Sequence, residues 1–257
     1  MFRPLGSWLA RYLNRPVGAT TMVATSDLKS LQAALQPGDV LLIEGNTRIS
    51  AAIKYLTQST WSHAALYVGP HASLPAWGDE PALLIEADLD AGVRAVPLSQ
   101  YAMLHTRICR PVGLTDEDRK RVIEYVVSRL GHRYDLRNVI DLVRYLLPTL
   151  PVPTRWRRRM LALGSGDPTR AICSTLIAQA FQSVRYPILP IITRAKLDDP
   201  ACADCYREYL HIRHHSLFTP RDFDISPFFE IVKPALAQGF DYRTLVWADT
   251  SGDSGKL

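Results

Sequence analysis

No run in this chain approaches the roughly 20 consecutive apolar residues that a membrane-crossing helix needs, so a transmembrane span is not expected. Cysteine is scarce. Cys109, Cys173, Cys202 and Cys205 are the four in 257 residues, and their spacing is not that of a small disulfide-stapled domain. A reducing compartment is therefore the expectation. No internal repeat and no long low-complexity segment is found, which excludes a repeat architecture. Neither sign of charge dominates: 30 Lys and Arg against 25 Asp and Glu leave +5, only a mild preference for anionic surfaces. The densest basic cluster, "RWRRRM" at 155–160, has no aromatic-interleaved basic face around it, so nucleic acid is not an expected partner.

The N-terminal "MFRPLGSWLARYLNRPVG" carries Arg3, Arg11 and Arg15 but no unbroken apolar core and no clear cleavage site, so it does not read as a signal peptide. Trp8, Leu9, Tyr12 and Leu13 would share one face of a short helix, packed on the domain in preference to lying on a membrane. A cytoplasmic location follows by default. Peripheral contact with an anionic membrane is the alternative, through Arg155, Arg157, Arg158 and Arg159, which follow the apolar stretch "YLLPTLPVPT". The bland reading of those arginines is a solvated loop.

A hydrophobic fraction of 47% over this length is enough for one sizeable core. The expected organisation is an N-terminal basic and apolar extension at 1–25, a single domain at 26–245 and a flexible tail at 246–257. A helix is expected near 26–35, then "QPGDVLLIEGN" as turn, buried strand and turn, then a short helix over "TRISAAIKYLT" with Ile49, Ile53 and Leu56 inward. "SHAALYVG", "ALLIEA", "GVRAVPL" and "TRICRPV" read as short strands of a largely antiparallel sheet. Thr115, with Asp118 three residues on, opens a helix whose buried stripe is Val122, Ile123, Val126, Val127 and Leu130. "YDLRNVIDLVRYLL" is a further helix, stopped by Pro148. A long connection at 148–170 then leads to a helix bearing Cys173, and "TPRDFDISPFFEIVKP" holds a turn and a late strand. Strands followed by helices with one strand returning indicate a single α+β domain.

"AICSTLIAQAF" sets Cys173 at a helix start, where free N–H groups and the helix dipole favour a thiolate. Helical spacing also aligns it with Ile177, Ala180 and Val184, as a small core residue would be. A base decides between these readings, and His63 in "WSHAALYVG" is the candidate. Alternation would put Trp61, His63, Ala65 and Tyr67 on one face of its strand. An isolated strand histidine is more often structural. Glu86, however, interrupts the apolar run of Leu83, Leu84, Ile85 and Ala87, and a buried carboxylate needs a partner. Beside His63 it would fix the imidazole tautomer.

In this order and spacing, "PGDVLLIEG", "WSHAALYVG", "LIEA", "RYD" and "ICSTLIAQAF" resemble the permuted NlpC-type papain-like amidases, most closely the YiiX and YaeF group. The resemblance runs from about residue 37 to 185 and extends to the tail. It implies a circularly permuted papain-like α+β fold, with the histidine strand before the cysteine helix. It implies Cys173 as nucleophile, His63 as base and Glu86 as the orienting residue, with Tyr134 in substrate or oxyanion binding and Asp39 bracing its strand. It also implies acyl transfer through a thioester, with no metal or organic cofactor. The expected substrate is an amide of a cell-wall-type peptide. An acyl lipid is the alternative in the same fold, and a non-catalytic ligand- or membrane-binding module is the reading of a different kind. "CADCYREYLHIRHH", with Cys202, Cys205, His211, His214 and His215, is read as a Cys pair with surface histidines in preference to a zinc site, which would need an unusually tight turn.

Overall fold

The computed structural model describes residues 15, 24, 26–78, 80–88, 91–132, 172–196, 206–237, 239 and 241–244. The expected N-terminal helix, the helix and basic connection at 134–170, Tyr134, the Cys202 and Cys205 pair and the C-terminal tail lie outside those residues.

The first described helix, α1 (Leu28–Ala34), starts at Asp27, whose carboxylate accepts the Ser30 backbone N–H. Strand β1 (Val40–Ile43) follows and is wholly buried. Helix α2 (Arg48–Thr57) is capped by Thr47 and buries Ile49 and Ala52, while Ile53 and Leu56 are only half-buried. Strands β2 (His63–Tyr67), β3 (Ala76–Trp77), β4 (Glu80–Pro81), β5 (Leu84–Asp88), β6 (Gly92–Val96) and β7 (Thr106–Pro111) come next, with a 3-10 turn at Leu98–Tyr101. Thr115 caps α3 (Asp116–Val127) by accepting the Asp118 N–H at 3.1 Å, as its spacing predicts. After α4 (Ile172–Ser183) come β8 (Ile191–Lys196), β9 (Tyr206–His211), the short α5 (Pro220–Asp224), the late strand β10 (Phe229–Val232) and α6 (Pro234–Ala237).

Six strands form one antiparallel sheet in the order β10-β7-β1-β2-β5-β6. Both faces are covered, which explains why β1 reads as an unbroken apolar run. Val40, Leu42, Ala64 and Leu66 pack with Leu176, Ile177 and Phe181 of α4 and Val122 and Val126 of α3. Leu41, Ile43, Ala65 and Tyr67 face the other way, against Leu31, Leu35, Leu98 and Tyr101. Trp61 departs from the expected alternation. It precedes the first paired residue of β2, and its ring joins the α4-side core while its indole N–H donates to Asp224 at 3.0 Å. The returning strand is fastened by aromatics: Phe181 meets Phe229 edge-on at 5.3 Å, and Tyr186 meets it at 5.6 Å. Such pairs add about 1 kcal/mol each beyond their burial.

The β8 and β9 hairpin has no counterpart in the sequence reading. Ile191, Ile192, Tyr209 and Leu210 are all exposed, so neither face carries the buried alternation that marks a strand. In β9 the five residues 206–210, about 17 Å of extended chain, precede His211. His211 there pairs with the Thr193 hydroxyl, and His214 caps a short turn through Ser216. No helix among the described residues is long and apolar enough to cross a membrane.

Asp39, almost fully buried, anchors the turn into β1. Its carboxylate accepts Nε and Nη2 of Arg110 at 3.0 and 2.8 Å and the Gln36 N–H at 2.8 Å. Burial pushes its pKa up and outweighs the Arg110 bonds that pull it down. Arg110→Met leaves that carboxylate without its cation, and a loss of about 3 kcal/mol is expected near neutral pH. Because a raised carboxylate pKa means that the folded state binds the extra proton, the loss should shrink as pH falls toward 5. Urea denaturation of the variant and the parent at both pH values measures it.

Candidate active site

Glu86 is the least expected side chain in the core, a carboxylate with 1% of its surface exposed. Its tolerance follows from the β5 and β6 hairpin, whose register sets Arg94 directly opposite it. Arg94 donates from Nε and Nη2 to Oε1, each at 2.8 Å. The other oxygen, Oε2, accepts from His63 Nε2 at 2.5 Å and from the Tyr101 hydroxyl. Gln100 in turn donates to the Tyr101 oxygen at 3.1 Å. Both carboxylate oxygens are thus occupied, three of the four bonds coming from groups that are or become cationic. Burial alone would raise the Glu86 pKa. The His63 charge and bond, the Arg94 charge and the Tyr101 bond outweigh it and hold the carboxyl at about 2.

His63 is the first residue of β2, opposite Ile43 at the end of β1, so its ring stands at the sheet margin. With Nε2 given to Glu86, Nδ1 is the nitrogen left for a second partner. That partner is Cys173, which shares both a hydrogen bond and a charge interaction with the ring. Burial would lower the imidazole pKa, but Cys173 and Glu86 together keep it well above its usual value.

Cys173 lies in the first turn of α4 and is buried. Burial pushes its thiol up, yet the His63 charge and hydrogen bond, with the Ala64 N–H and the Ser174 hydroxyl, bring the pKa below the ordinary thiol value. The Ser174 oxygen is 3.9 Å from Sγ. Cys109, equally buried but without a cation of this kind, is pushed far above the ordinary value, chiefly by burial. The same side chain therefore behaves oppositely at two positions, and the difference is the imidazole.

Of the residues singled out in the sequence, Cys173, His63 and Glu86 converge in one hydrogen-bonded line. Tyr134 lies outside the described residues, and Asp39 is committed to Arg110 elsewhere. Arg94 and Tyr101 were missed. The signal for Arg94 was present: a charge inside the apolar strand "GVRAV", at the hairpin position that pairs with Glu86. Among the described residues no three His, Cys, Asp or Glu side chains converge as a metal site would require.

Residues 34–145 match the C92 peptidase family, described as permuted papain-like amidases, YaeF/YiiX. This is a permuted papain-like α+β fold, and at the coarse level the match supports a cysteine hydrolase. The papain-like match takes in His63, Glu86, Arg94 and Tyr101 and stops before Cys173. The cysteine joins it through the contact with His63. A solved structure described as metalloprotein yiiX from Escherichia coli O157:H7, DUF1105, is 16% identical with a TM-score of 0.45, and the alignment covers 78% of this chain and 97% of that one. No curated protein matches.

The opposite shifts of the two thiols have a direct readout. Iodoacetamide at mildly acidic pH, followed by peptide mapping, should label Cys173 and leave Cys109 untouched, because only a thiolate alkylates at a useful rate. His63→Ala should abolish that preference.

Proposed function

We propose that the protein is a cysteine hydrolase that cleaves an amide bond in a cell-wall-type peptide, with Cys173 as nucleophile, His63 as proton carrier and Glu86 as the residue that orients the ring. The observation that carries this reading is the line of thiol, imidazole and buried carboxylate in a chain whose sequence matches amidases. The Cys173 thiolate adds to the amide carbonyl carbon, and its electron pair passes to the carbonyl oxygen. N–H groups in the first turn of α4, which have no partners within the helix, are suited to receive that oxyanion. His63 then gives its proton to the departing amine, and the C–N bond breaks to leave a thioester. Water, deprotonated by the now neutral imidazole, attacks the thioester. The acid is released and the thiolate–imidazolium pair returns.

Glu86 stays ionised throughout, since it supplies orientation and charge and never takes the proton. Tyr134, on the strength of the family resemblance, is assigned to substrate or oxyanion binding. Arg155, Arg157, Arg158 and Arg159 are assigned to peripheral contact with an anionic surface.

Incubation with muropeptides and, in parallel, with acyl lipids, followed by mass spectrometry, tests the reading. An amide-cleaved muropeptide is expected, with turnover reduced about 10³-fold or more in Cys173→Ala and in His63→Ala. A deacylated lipid or a transferred acyl group in place of the cleaved peptide moves the substrate to the lipid class. Undiminished turnover in Cys173→Ala removes the catalytic assignment.

A further inference from the structure

Glu86 poses an electrostatic problem that the thiol, imidazole and carboxylate cannot solve among themselves. When Cys173 and His63 stand as thiolate and imidazolium, Glu86 adds a second negative charge, and it and the sulfur are both buried. The three together carry one uncompensated negative charge, and the simplest relief is to take up a proton, which would quench the thiolate. A fourth group prevents this. The Arg94 guanidinium is held on Oε1, the oxygen that His63 does not use, by two bonds of 2.8 Å. Positive and negative groups then alternate along the line Arg94, Glu86, His63, Cys173, and their charges cancel.

The neighbouring groups do not take over this role. Tyr101, from the turn after β6, gives Oε2 a hydrogen bond but no charge, and burial beside Glu86 keeps its phenol protonated. Gln100 is neutral. Asp88, on the same strand as Glu86, lies 3.6 Å from Arg94, farther than the 2.8 Å of the two Glu86 bonds, so Glu86 takes the larger share of the guanidinium charge. Ser174, on α4, is uncharged. Among the described residues recorded in contact with Glu86, Arg94 is the permanent cation.

We infer that Arg94 is a positioning residue for the reaction: by neutralising Glu86 from the side away from His63, it sets the pH window in which Cys173 exists as a thiolate. This rests on the roles proposed above for Cys173, His63 and Glu86. Arg94 touches neither substrate nor sulfur in that scheme and acts through the carboxylate. A merely structural cross-strand pair would contribute stability without moving that window.

The test is the rate of Cys173 alkylation by iodoacetamide between pH 4 and 10, read by peptide mapping on the full-length protein. In Arg94→Met the acid limb of the profile should move up by about one pH unit, since removal of a nearby positive charge favours every protonated form. Arg94→Lys, which keeps the charge, should bring the limb back toward the parent position. Arg94→Gln, which keeps N–H donors for Oε1 but lacks the charge, guards against a fold lost in Arg94→Met and should raise the limb by the same amount. In a Glu86→Gln background, where no carboxylate charge remains to be neutralised, Arg94→Met should leave the limb within roughly a few tenths of a unit of its place in Glu86→Gln alone. A lower melting temperature with the limb unmoved in both Arg94→Met and Arg94→Gln, or an equal rise in the Glu86→Gln background, overturns the inference and leaves the proposed roles standing. Labelling of the parent that is indifferent to His63→Ala overturns the proposed roles, and this inference with them.

Discussion

The burial of one carboxylate organises this structure. Glu86 is sealed in the core between β2 and β6, and an ionised acid in that position is tolerated only if its charge and its lone pairs are met on every side. Arg94 must lie opposite on the hairpin, Tyr101 must fold back from the following turn, and His63 must sit at the start of its strand. Each requirement fixes backbone that is distant in sequence. The site is therefore a condition of the fold and not an addition to it.

This constraint also separates two cysteines of similar burial. Cys109 sits in β7, where burial, with the charges of Asp224 and Asp39, disfavours the anion and outweighs the help of Arg107. Cys173 sits where the imidazole, itself held by Glu86, favours the anion. The proposed nucleophile is thus made by its surroundings, at the end of a relay that begins at a guanidinium and crosses two strands. Helix position alone would not accomplish this, because the desolvation of a buried thiol opposes the help of the helix dipole.

Much of the fold was legible because its signals are local. Thr115 with Asp118 announces a helix start, the β1 run announces a strand covered on both faces, and "FEIV" after a proline-bounded turn announces the late strand. The permuted papain-like resemblance was legible in the same way, through short segments in a fixed order. Glu86 was visible as a charge out of place in an apolar strand. Arg94 has the same signature but lies in a strand whose other residues are unremarkable, and only the hairpin register reveals that the two charges face one another. Tyr101 was hidden in a 3-10 turn, whose sequence carries no period. The β8 and β9 hairpin escaped because both of its faces meet solvent, and alternation is readable only when one face is buried.

The antiparallel partner of β7 on its outer side is β10, drawn from near the end of the chain, and Tyr186 ties α4 to it by donating to the carbonyls of Val112 and Phe228. The strands carrying His63, Glu86 and Arg94 leave the ribosome well before Cys173, and the strand that closes the sheet leaves after it. A partly made chain consequently holds the base and its counter-charges without any thiol to activate. Once the cysteine emerges, the strands that carry its base and counter-charges are already in the chain, and only the outermost strand beside β7 is still to come.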